Sequence, residues 1–406
     1  MLAFTDPVTG MLPSERRAVL FLALIYAVRM IGLFIMLPVL VLYGATLDHA
    51  DPRLLGLAMG IYGLTQAVLQ IPYGVWSDRY GRHRVILIGL LVFAAGSMLA
   101  AQADTIYTLI LGRALQGAGA IAGVVMALAA DLTRVSQRSK AMAAIGASIG
   151  GAFLLSIVLG PVLYAAIGGN GIFYLTVLLA VMAIALLYWG VPQVTAVASA
   201  QAYAPREFFS AVFANSVLLR INAGIFMLHA VLIATFIVVP SMLRNTIGLP
   251  VSDHGWLYLP AMIAGLCLML PCLIYAEKTD RIRILIIVAT LLLVLSQAGW
   301  ISGYGKTLYG FVAFLFLFFL AFNALEAVFP SLASKIAVEH RGAALGLYST
   351  CQFLGAFTGG VMGGWVLKTW GDNGVFAMAM LFALLWLPVA FGIRMLPGLD
   401  CYTVNF

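Results

Sequence analysis

The sequence predicts an all-α integral membrane protein with 12 transmembrane helices in two pseudo-symmetric six-helix bundles. Of its 406 residues, 63% are hydrophobic and 9% are charged, against roughly 45–50% apolar and about 25% charged residues in soluble domains. Apolar runs long enough to cross a bilayer follow one another with little interruption. These observations exclude a water-soluble globular protein and leave no room for a large extramembrane domain.

Twelve apolar segments are each long enough to cross about 30 Å of hydrocarbon at about 1.5 Å per residue. Six precede a central polar stretch, near residues 18–45, 53–77, 84–103, 105–131, 138–167 and 171–190. Six follow it, near residues 217–243, 254–276, 283–303, 307–334, 342–367 and 374–395. The first run is too long for the core of a signal peptide, so we predict that it is retained as the first span.

The basic residues indicate the orientation of the chain. The formal net charge is +7, but the Lys and Arg residues are scattered singly and form no basic stripe of the kind that binds nucleic acid. With an inside N-terminus and twelve spans, most of them fall on the inner side, as membrane topology favours. We therefore predict a multi-pass protein of a bacterial-type inner (plasma) membrane, with both termini cytoplasmic and no nucleic-acid partner.

The longest polar connection, residues 191–216, lies near the middle of the chain. We predict that it is a cytoplasmic linker between two domains. The N-terminal six-helix bundle then covers residues 1–190, and the C-terminal bundle covers residues 217–406.

The two halves carry a weak internal repeat. A shift of 199 residues places Pro72 on Pro271 and Asp78 on Glu277. Repeats of this length are expected where two bundles are related by an axis along the membrane normal.

The loop between spans two and three carries the most distinctive pattern. Gly74, Asp78, Arg79, Gly81 and Arg82 fall within nine residues. We predict a tight turn in which Gly74 permits close helix approach and Gly81 adopts a backbone conformation that other residues avoid. Asp78 stands at a helix end and needs an arginine or a helix N-terminus as partner.

This loop resembles motif A of the major facilitator superfamily, with Trp76 and His83 departing from the usual residues. The resemblance implies twelve spans in two halves and an inner gate built by the loop. It implies that Asp131 is the acidic partner of Arg82, and that Asp78 docks at the start of span eleven, near residues 341–342.

Two further motifs extend the resemblance over residues 15–395. The run around Arg113 and Gln116 in span four is similar to motif B, and Gly160 and Pro161 are similar to the centre of the antiporter motif C. The chain resembles YajR-type drug-efflux members of the superfamily, and it ends at Phe406 without their C-terminal soluble domain.

Four ionisable residues lie deep in the apolar spans: Arg29, Arg113, His229 and Glu326. A charge at such depth costs at least about 2.5–3.5 kcal/mol, so each needs a partner or a watery cavity. They fall on spans one, four, seven and ten, which the resemblance implies line a central cavity. We expect them to couple transport to protons, with Glu326 as the carrier; Arg29 and His229 also have purely structural interpretations.

Amide and aromatic side chains are candidates for a substrate cavity. Three of them follow one face of span two at intervals of four residues. The candidates are Tyr62, Gln66, Gln70, Gln116, Tyr348, Gln352 and Phe353. Interhelical hydrogen bonding and packing are the alternative interpretation for each of them.

The sequence contains no nucleotide-binding loop, metal cluster or catalytic triad, so we predict a transporter without cofactor or metal rather than an enzyme. The resemblance implies a monomeric secondary active transporter that exports amphipathic small molecules in exchange for protons by alternating access. Two alternatives stay open: a proton-linked symporter or uniporter for a sugar or nutrient, and a non-transporting membrane receptor or assembly factor.

Overall fold

A computed structural model describes residues 10–192, 215–336 and 341–393, with side chains described except at 341–343. Regular structure in these ranges is helical, apart from one isolated bridge between Asp48 and Thr105. Most of the predicted linker, residues 191–216, lies outside the described residues. The chain forms two compact units, residues 1–202 with 249–255, and residues 203–248 with 256–406.

The described helices account for every predicted span. In the first half they are α1 (Pro13–Phe34), α2 (Leu40–Gly44), α3 (Pro52–Tyr80), α4 (Arg82–Ala101), α5 (Ile106–Ala118), α6 (Ala122–Asp131) and α7 (Arg138–Gly190). In the second half they are α8 (Ser216–Asn245), α9 (His254–Lys278), α10 (Ile282–Ile301), α11 (Leu308–Ile336) and α12 (Arg341–Phe391). The all-helical membrane fold predicted from composition is confirmed.

Two of these helices are too long for a single crossing. Helices α7 and α12 have 53 and 51 residues, whereas about 20 residues span the hydrocarbon. Each is broken by a glycine with positive φ, Gly168 at 70° and Gly371 at 66°, a conformation open to glycine at little cost. With α5 and α6 taken together, the described residues contain ten long apolar stretches, and two of them broken in this way are consistent with twelve crossings.

Spans one and four are not the continuous helices that hydropathy predicts. Helix α1 ends at Phe34 and the chain turns before α2, where Pro38 lacks the N–H that a helix would use. Helices α5 and α6 are separated by a break in which Gly119 has φ −77° and ψ 55°. The predicted spans keep their places, and their backbone is irregular at these two points, because irregular backbone is tolerated where the surrounding protein satisfies its polar groups.

Gly160 fits against the break between α1 and α2. A Cβ added at Gly160 would lie 2.5 Å from the Ile35 carbonyl oxygen and 2.9 Å from Pro38 Cγ. One turn earlier, the Ser156 hydroxyl donates a hydrogen bond of 3.4 Å to the Ile31 carbonyl. Small residues on α7 therefore allow the irregular end of span one to pack against it closely.

Substituting Gly160 with alanine is expected to destabilise the N-terminal unit by about 1–3 kcal/mol, because the added methyl group overlaps backbone and a proline ring. Gly151→Ala is the matched control: Gly151 is exposed on the same helix and its added Cβ meets no described atom within 4 Å. It should be neutral or gain up to about 1 kcal/mol in helix propensity. Thermal unfolding in detergent measures both, and equal shifts would contradict the packing argument.

Candidate functional site

Most of the predicted coupling and cavity residues fall into two polar groups, a buried one in the N-terminal unit and a partly buried one in the C-terminal unit. The N-terminal cluster consists of Arg29, Tyr62, Gln66, Arg113 and Gln116. The C-terminal cluster consists of His229, Glu326 and Gln352. Each cluster joins side chains from three helices, in segments where the surrounding sequence is apolar.

Arg29 lies at the break in span four. Its side chain is 1% exposed, and its Nη2 donates to Gln66 Oε1 at 2.7 Å and to the Gly119 carbonyl at 2.8 Å. The Gly119 carbonyl belongs to the irregular segment between α5 and α6, where regular helical partners are lost. Arg29 therefore supplies one of the hydrogen bonds that make this break tolerable inside a bundle.

Arg113 is the second buried guanidinium of the N-terminal cluster. Its Nη1 donates to Gln116 Oε1 at 2.9 Å, and Gln116 in turn donates to the Ser97 hydroxyl at 2.8 Å. The Arg113 guanidinium lies over the Tyr62 ring, 5.2 Å from its centroid. Its Nε donates to the Ala58 carbonyl at 3.4 Å, so these partners of Arg113 are an amide, a backbone carbonyl and an aromatic ring, all of them neutral.

Helix α3 positions both arginines. Tyr62, Gln66 and Gln70 are 2%, 0% and 7% exposed, so the predicted polar face of span two is buried. Tyr62 contacts Arg113 and Gln66 contacts Arg29, and these two contact points are one helical turn apart.

The close approach of the neighbouring helices follows from glycines. A Cβ added at Gly96 would meet the backbone of α5, at the Gly112 carbonyl among other atoms, and one at Gly117 would meet the Tyr62 carbonyl of α3. Without side chains at these positions, α5 can bring Arg113 and Gln116 against α3 and α4.

In the C-terminal cluster, Gln352 links the other two side chains. Its Nε2 lies 2.8 Å from His229 Nε2 and donates to Glu326 Oε1 at 3.3 Å. Because this nitrogen is a donor, His229 Nε2 must be the unprotonated acceptor, and the ring proton is then on Nδ1. His229 Nδ1 lies 3.9 Å from Glu326 Oε2, so the imidazole and the carboxyl face each other.

Glu326 is buried on one side only. Its Oε2 is inaccessible to solvent, whereas 36% of its side-chain surface is exposed, against 11% for His229. The carboxyl is held by contacts to α8 and α12 rather than by any described cation of its own helix. One carboxyl oxygen is therefore enclosed by protein, while part of the side chain stays exposed.

Glycines on α12 bring Gln352 to His229. A Cβ added at Gly355 would meet the backbone of Phe226, and one at Gly359 would meet the backbone of Ala230. These contacts fix the register of α12 on α8, and Gln352 lies one turn before Gly355 on the same helix. Of the other predicted cavity residues, Tyr348 is 5% exposed and close enough to Glu326 for an electrostatic interaction, and Phe353 is half-buried.

The motif A loop forms a separate polar group at the junction of α3 and α4. Arg82 Nη1 lies 2.8 Å from Asp78 Oδ1, and its Nε lies 2.5 Å from Asp131 Oδ2 at the end of α6. Gly81 has φ 92°, as predicted for the turn. Arg82 therefore lies between the two carboxylates, and its part in an inner gate stays a prediction.

Two other expectations about this loop have different outcomes. A Cβ at Gly74 would meet no described atom within 4 Å, so the predicted close helix approach is not made there. Arg79 is exposed and lies over the Tyr80 ring at 5.6 Å. The predicted partner region of Asp78, residues 341–342, has no described side chains, so the gate itself stays a prediction.

Residues 22–357 match the family described as the Major Facilitator Superfamily. The chain belongs to this superfamily. It is 43% identical to the inner membrane transport protein YajR of Escherichia coli, over 94% of this chain and 84% of YajR. It is 24% identical to multidrug resistance protein 2 of Bacillus subtilis, over 83% of this chain and 85% of that protein.

The fold comparison agrees with the family. A crystal structure of a D-xylose–proton symporter matches with a TM-score of 0.74 at 17% identity, covering 94% of this chain and 98% of that one. At this identity the likeness concerns the fold. The described residues contain ten helical stretches that are long and apolar enough to cross a membrane. The superfamily chain is a multi-pass membrane transporter, as the motif A loop predicted.

Sequence reasoning missed three parts of the site. Ser97, which joins Gln116 to α4, is one of many serines in apolar runs and carried no signal. The carbonyl of Gly119 became a partner of Arg29 because the helix breaks, although the glycine-rich run 117–119 could have indicated a discontinuity. The pairing of Arg134 with Glu15 was also missed, because these residues are 119 positions apart.

Proposed function

We propose that this superfamily member exports amphipathic small molecules in exchange for protons. The observation that carries the proposal is the C-terminal cluster, in which a carboxyl inside an apolar span faces an imidazole and an amide. Proton coupling needs a group that gains and loses a proton while reachable from a site within the membrane. Glu326 has the required chemistry, and part of its surface is accessible.

The hydrogen bonds of Gln352 suggest how a proton alters the cluster. An ionised Glu326 only accepts hydrogen bonds, and it holds the Gln352 amide at Oε1. When a proton from outside binds to the carboxyl, Glu326 becomes a donor, and it then faces the Nδ1–H donor of His229 across 3.9 Å. Protonation thus rearranges contacts between α8, α11 and α12, and a substrate that displaces the proton reverses the rearrangement.

The N-terminal cluster supplies polar groups of its own for the proposed transport. Tyr62, Gln66 and Gln70 present an amide and aromatic face, and Arg113 with Gln116 adds further donors. Such a mixture of apolar wall and few directed polar groups suits an amphipathic ligand. We propose that Arg29 and Arg113 take part in binding and coupling, and that substrate access alternates between the two sides of the membrane.

The motif A loop is proposed as the inner gate. Arg82 holds the carboxylates of Asp78 and Asp131 together, so Asp78 is oriented by a partner on α6. We propose that Asp78 docks at the start of α12 when the gate is closed. A contact that contributes about 1–3 kcal/mol would change the population ratio of the closed and open gate by about 5–150-fold. The loop is cytoplasmic in the proposed inner-membrane orientation, with both termini cytoplasmic and a monomeric chain.

Export is preferred over import because of the relatives' names and the α7 sequence. The drug-resistance name of the Bacillus subtilis relative and the resemblance of Gly160 and Pro161 to the antiporter motif both favour efflux. The symporter and uniporter alternatives have no feature of their own in the described residues.

Proteoliposomes with an imposed pH gradient test the proposal. Dye preloaded on the side that corresponds to the cytoplasm should leave against its concentration gradient when the opposite side is acidified. The pH of the dye-loaded side should fall at the same time, because protons enter in exchange for dye. Dye and protons moving together would establish symport, and dye movement indifferent to the pH gradient would establish uniport. No dye movement in either direction, in vesicles whose protein is folded, would favour a receptor or assembly role.

A further inference from the structure

The N-terminal cluster has an imbalance of charge. Arg29 and Arg113 are 1% and 4% exposed within apolar spans. Within the described part of the N-terminal unit, neither guanidinium forms an ion pair with a carboxylate. Burying two cations without an anion is unfavourable, so these residues would be costly if they served packing alone.

The acidic side chains of this unit that form ion pairs are used elsewhere. Asp78 and Asp131 both pair with Arg82 in the motif A loop, and Glu15 pairs with Arg134 at the start of α1. All of them lie at helix ends, whereas Arg29 and Arg113 are well inside α1 and α5. Within the described part of the N-terminal unit, no ion-paired carboxylate therefore lies at the depth of the two buried arginines.

Arg29 also has hydrogen-bonding capacity that nothing in the cluster uses. Both of its hydrogen bonds come from Nη2, to Gln66 and Gly119. Its Nε and Nη1 are buried and have no hydrogen-bond partner among the described residues. Leaving buried donors unsatisfied is costly, and such exceptions call for a ligand or a change of state.

The two guanidinium groups are placed along one surface. Gln66 holds Arg29 and Tyr62 lies against Arg113, one turn apart on α3. The rings of Phe93 and Tyr62 lie 5.7 Å and 5.2 Å from the respective guanidinium carbons, measured to the ring centroids. Planar donors beside aromatic rings are the groups that recognise a carboxylate attached to an apolar body.

We propose that the transported molecules are amphipathic organic anions, whose carboxylate or similar group is bound by Arg29 and Arg113. This inference rests on the proposed function and names its substrate class. An anion leaving the cell and a proton entering it both move charge in the direction that an inside-negative membrane potential favours. The N-terminal cluster then supplies the cations for the substrate, and the C-terminal cluster supplies the proton carrier.

Three probe molecules of similar shape but different charge test the class of substrate. The probes are 1-naphthoate, 1-naphthamide and 1-naphthylmethylammonium, titrated by calorimetry at pH 7 into the full chain in nanodiscs of zwitterionic lipid. We expect 1-naphthoate to bind at least about tenfold more tightly than the other two, because it alone supplies the missing anion. Equal affinities, stronger binding of the cation, or no binding of 1-naphthoate would overturn the inference.

Variants then connect the preference to the arginines. Arg29→Gln is expected to reduce 1-naphthoate affinity to that of 1-naphthamide, while Arg29→Lys keeps part of the preference. Arg53→Gln is the matched control, because it removes the same charge from an exposed position at the start of α3. An unchanged preference in Arg29→Gln and Arg113→Gln would also overturn the inference; should these variants fail to fold, the comparison of the three probes on the unmodified chain still decides.

These experiments distinguish a failure of the proposed anion class from a failure of the proposed proton coupling. Proton-driven transport of 1-naphthylmethylammonium with no transport of 1-naphthoate would leave proton-coupled efflux standing and refute the anion class. Arginine-dependent binding of 1-naphthoate without any proton movement in vesicles would support the anion class and refute proton coupling.

Discussion

Replacing Glu326 with glutamine is expected to reduce proton-driven flux by about 100-fold or more, equivalent to at least about 2.7 kcal/mol. Glutamine has nearly the same shape and can still contact Gln352 and His229, which lie 3.3 Å and 3.9 Å from the carboxyl oxygens. It cannot bind or release a proton, so the coupling step is lost while the helix packing is retained. Flux driven by a pH gradient in proteoliposomes measures the effect.

The same variant should keep exchange of substrate for substrate, because glutamine imitates the protonated carboxyl and exchange needs no net proton movement. Loss of pH-driven flux together with retained exchange is the pattern of a proton carrier. Loss of both would instead indicate a damaged substrate site, and thermal unfolding shows whether the protein is still folded.

Glu277→Gln provides the matched control. Glu277 is the carboxylate that the internal repeat aligns with Asp78, and it pairs with Lys335 at 3.2 Å. Its side chain is 42% exposed at the end of α9, and an exposed ion pair contributes little to stability. Glu277→Gln should transport like the unmodified protein. If Glu326→Gln also kept undiminished proton-coupled transport, Glu326 would have no part in the mechanism.

The membrane fold was predictable because hydropathy is a property of composition and length. Segments of about 20 apolar residues must cross the bilayer whatever they pack against, and glycines within short polar gaps mark the turns. The breaks at Gly168 and Gly371 lie between the spans predicted to end near 167 and 367 and to begin near 171 and 374.

Backbone continuity within a span was not predictable in the same way. Hydropathy is equally high on both sides of Pro38 and Gly119, so the segments read as single helices. Whether the backbone breaks depends on whether a partner satisfies the released polar groups. At Gly119 that partner is Arg29, which is 90 positions away in the chain and reaches the site only through tertiary packing.

The candidate site was likewise predictable only in part. Depth in a span identified Arg29, Arg113, His229 and Glu326 as residues that need partners, and the spacing of Tyr62, Gln66 and Gln70 identified a buried face. The identities of the partners depended on helix register, which the sequence does not encode locally. Gln352 contacts His229 because glycines on α12 allow close approach to α8, a relation between segments more than 100 residues apart.

Arg134→Ala is expected to lower the free energy of unfolding by about 3 kcal/mol, because it leaves a buried carboxylate without its cation. Glu15 is 4% exposed, and its oxygens accept hydrogen bonds from Arg134 Nε at 3.0 Å and Nη2 at 3.1 Å. Two backbone donors remain, the N–H groups of Leu12 and Arg134, each 2.8 Å from a carboxylate oxygen. They keep the expected loss near the lower end of the range for a broken buried pair.

The pair matters because it joins the beginning of α1 to the segment that follows α6. Arg134 Nη2 also donates to the Gly10 carbonyl at 2.7 Å, so one side chain holds both the carboxylate and the backbone that precedes α1. Arg138→Ala is the matched control in the same segment. Arg138 is exposed and donates only to the Ala130 carbonyl, at 3.1 Å, so its loss should cost less than about 1 kcal/mol.

A second substitution separates the unpaired charge from the lost contacts. Adding Glu15→Gln to Arg134→Ala replaces the unpaired carboxylate with a neutral amide, which is much cheaper to bury. If the charge causes the loss, the double variant should be more stable than Arg134→Ala alone, although it lacks both members of the pair. Denaturant unfolding in detergent measures the single and double variants. A double variant less stable than Arg134→Ala would show that the hydrogen bonds from the Leu12 and Arg134 N–H groups to the Glu15 carboxylate outweigh the cost of its unpaired charge.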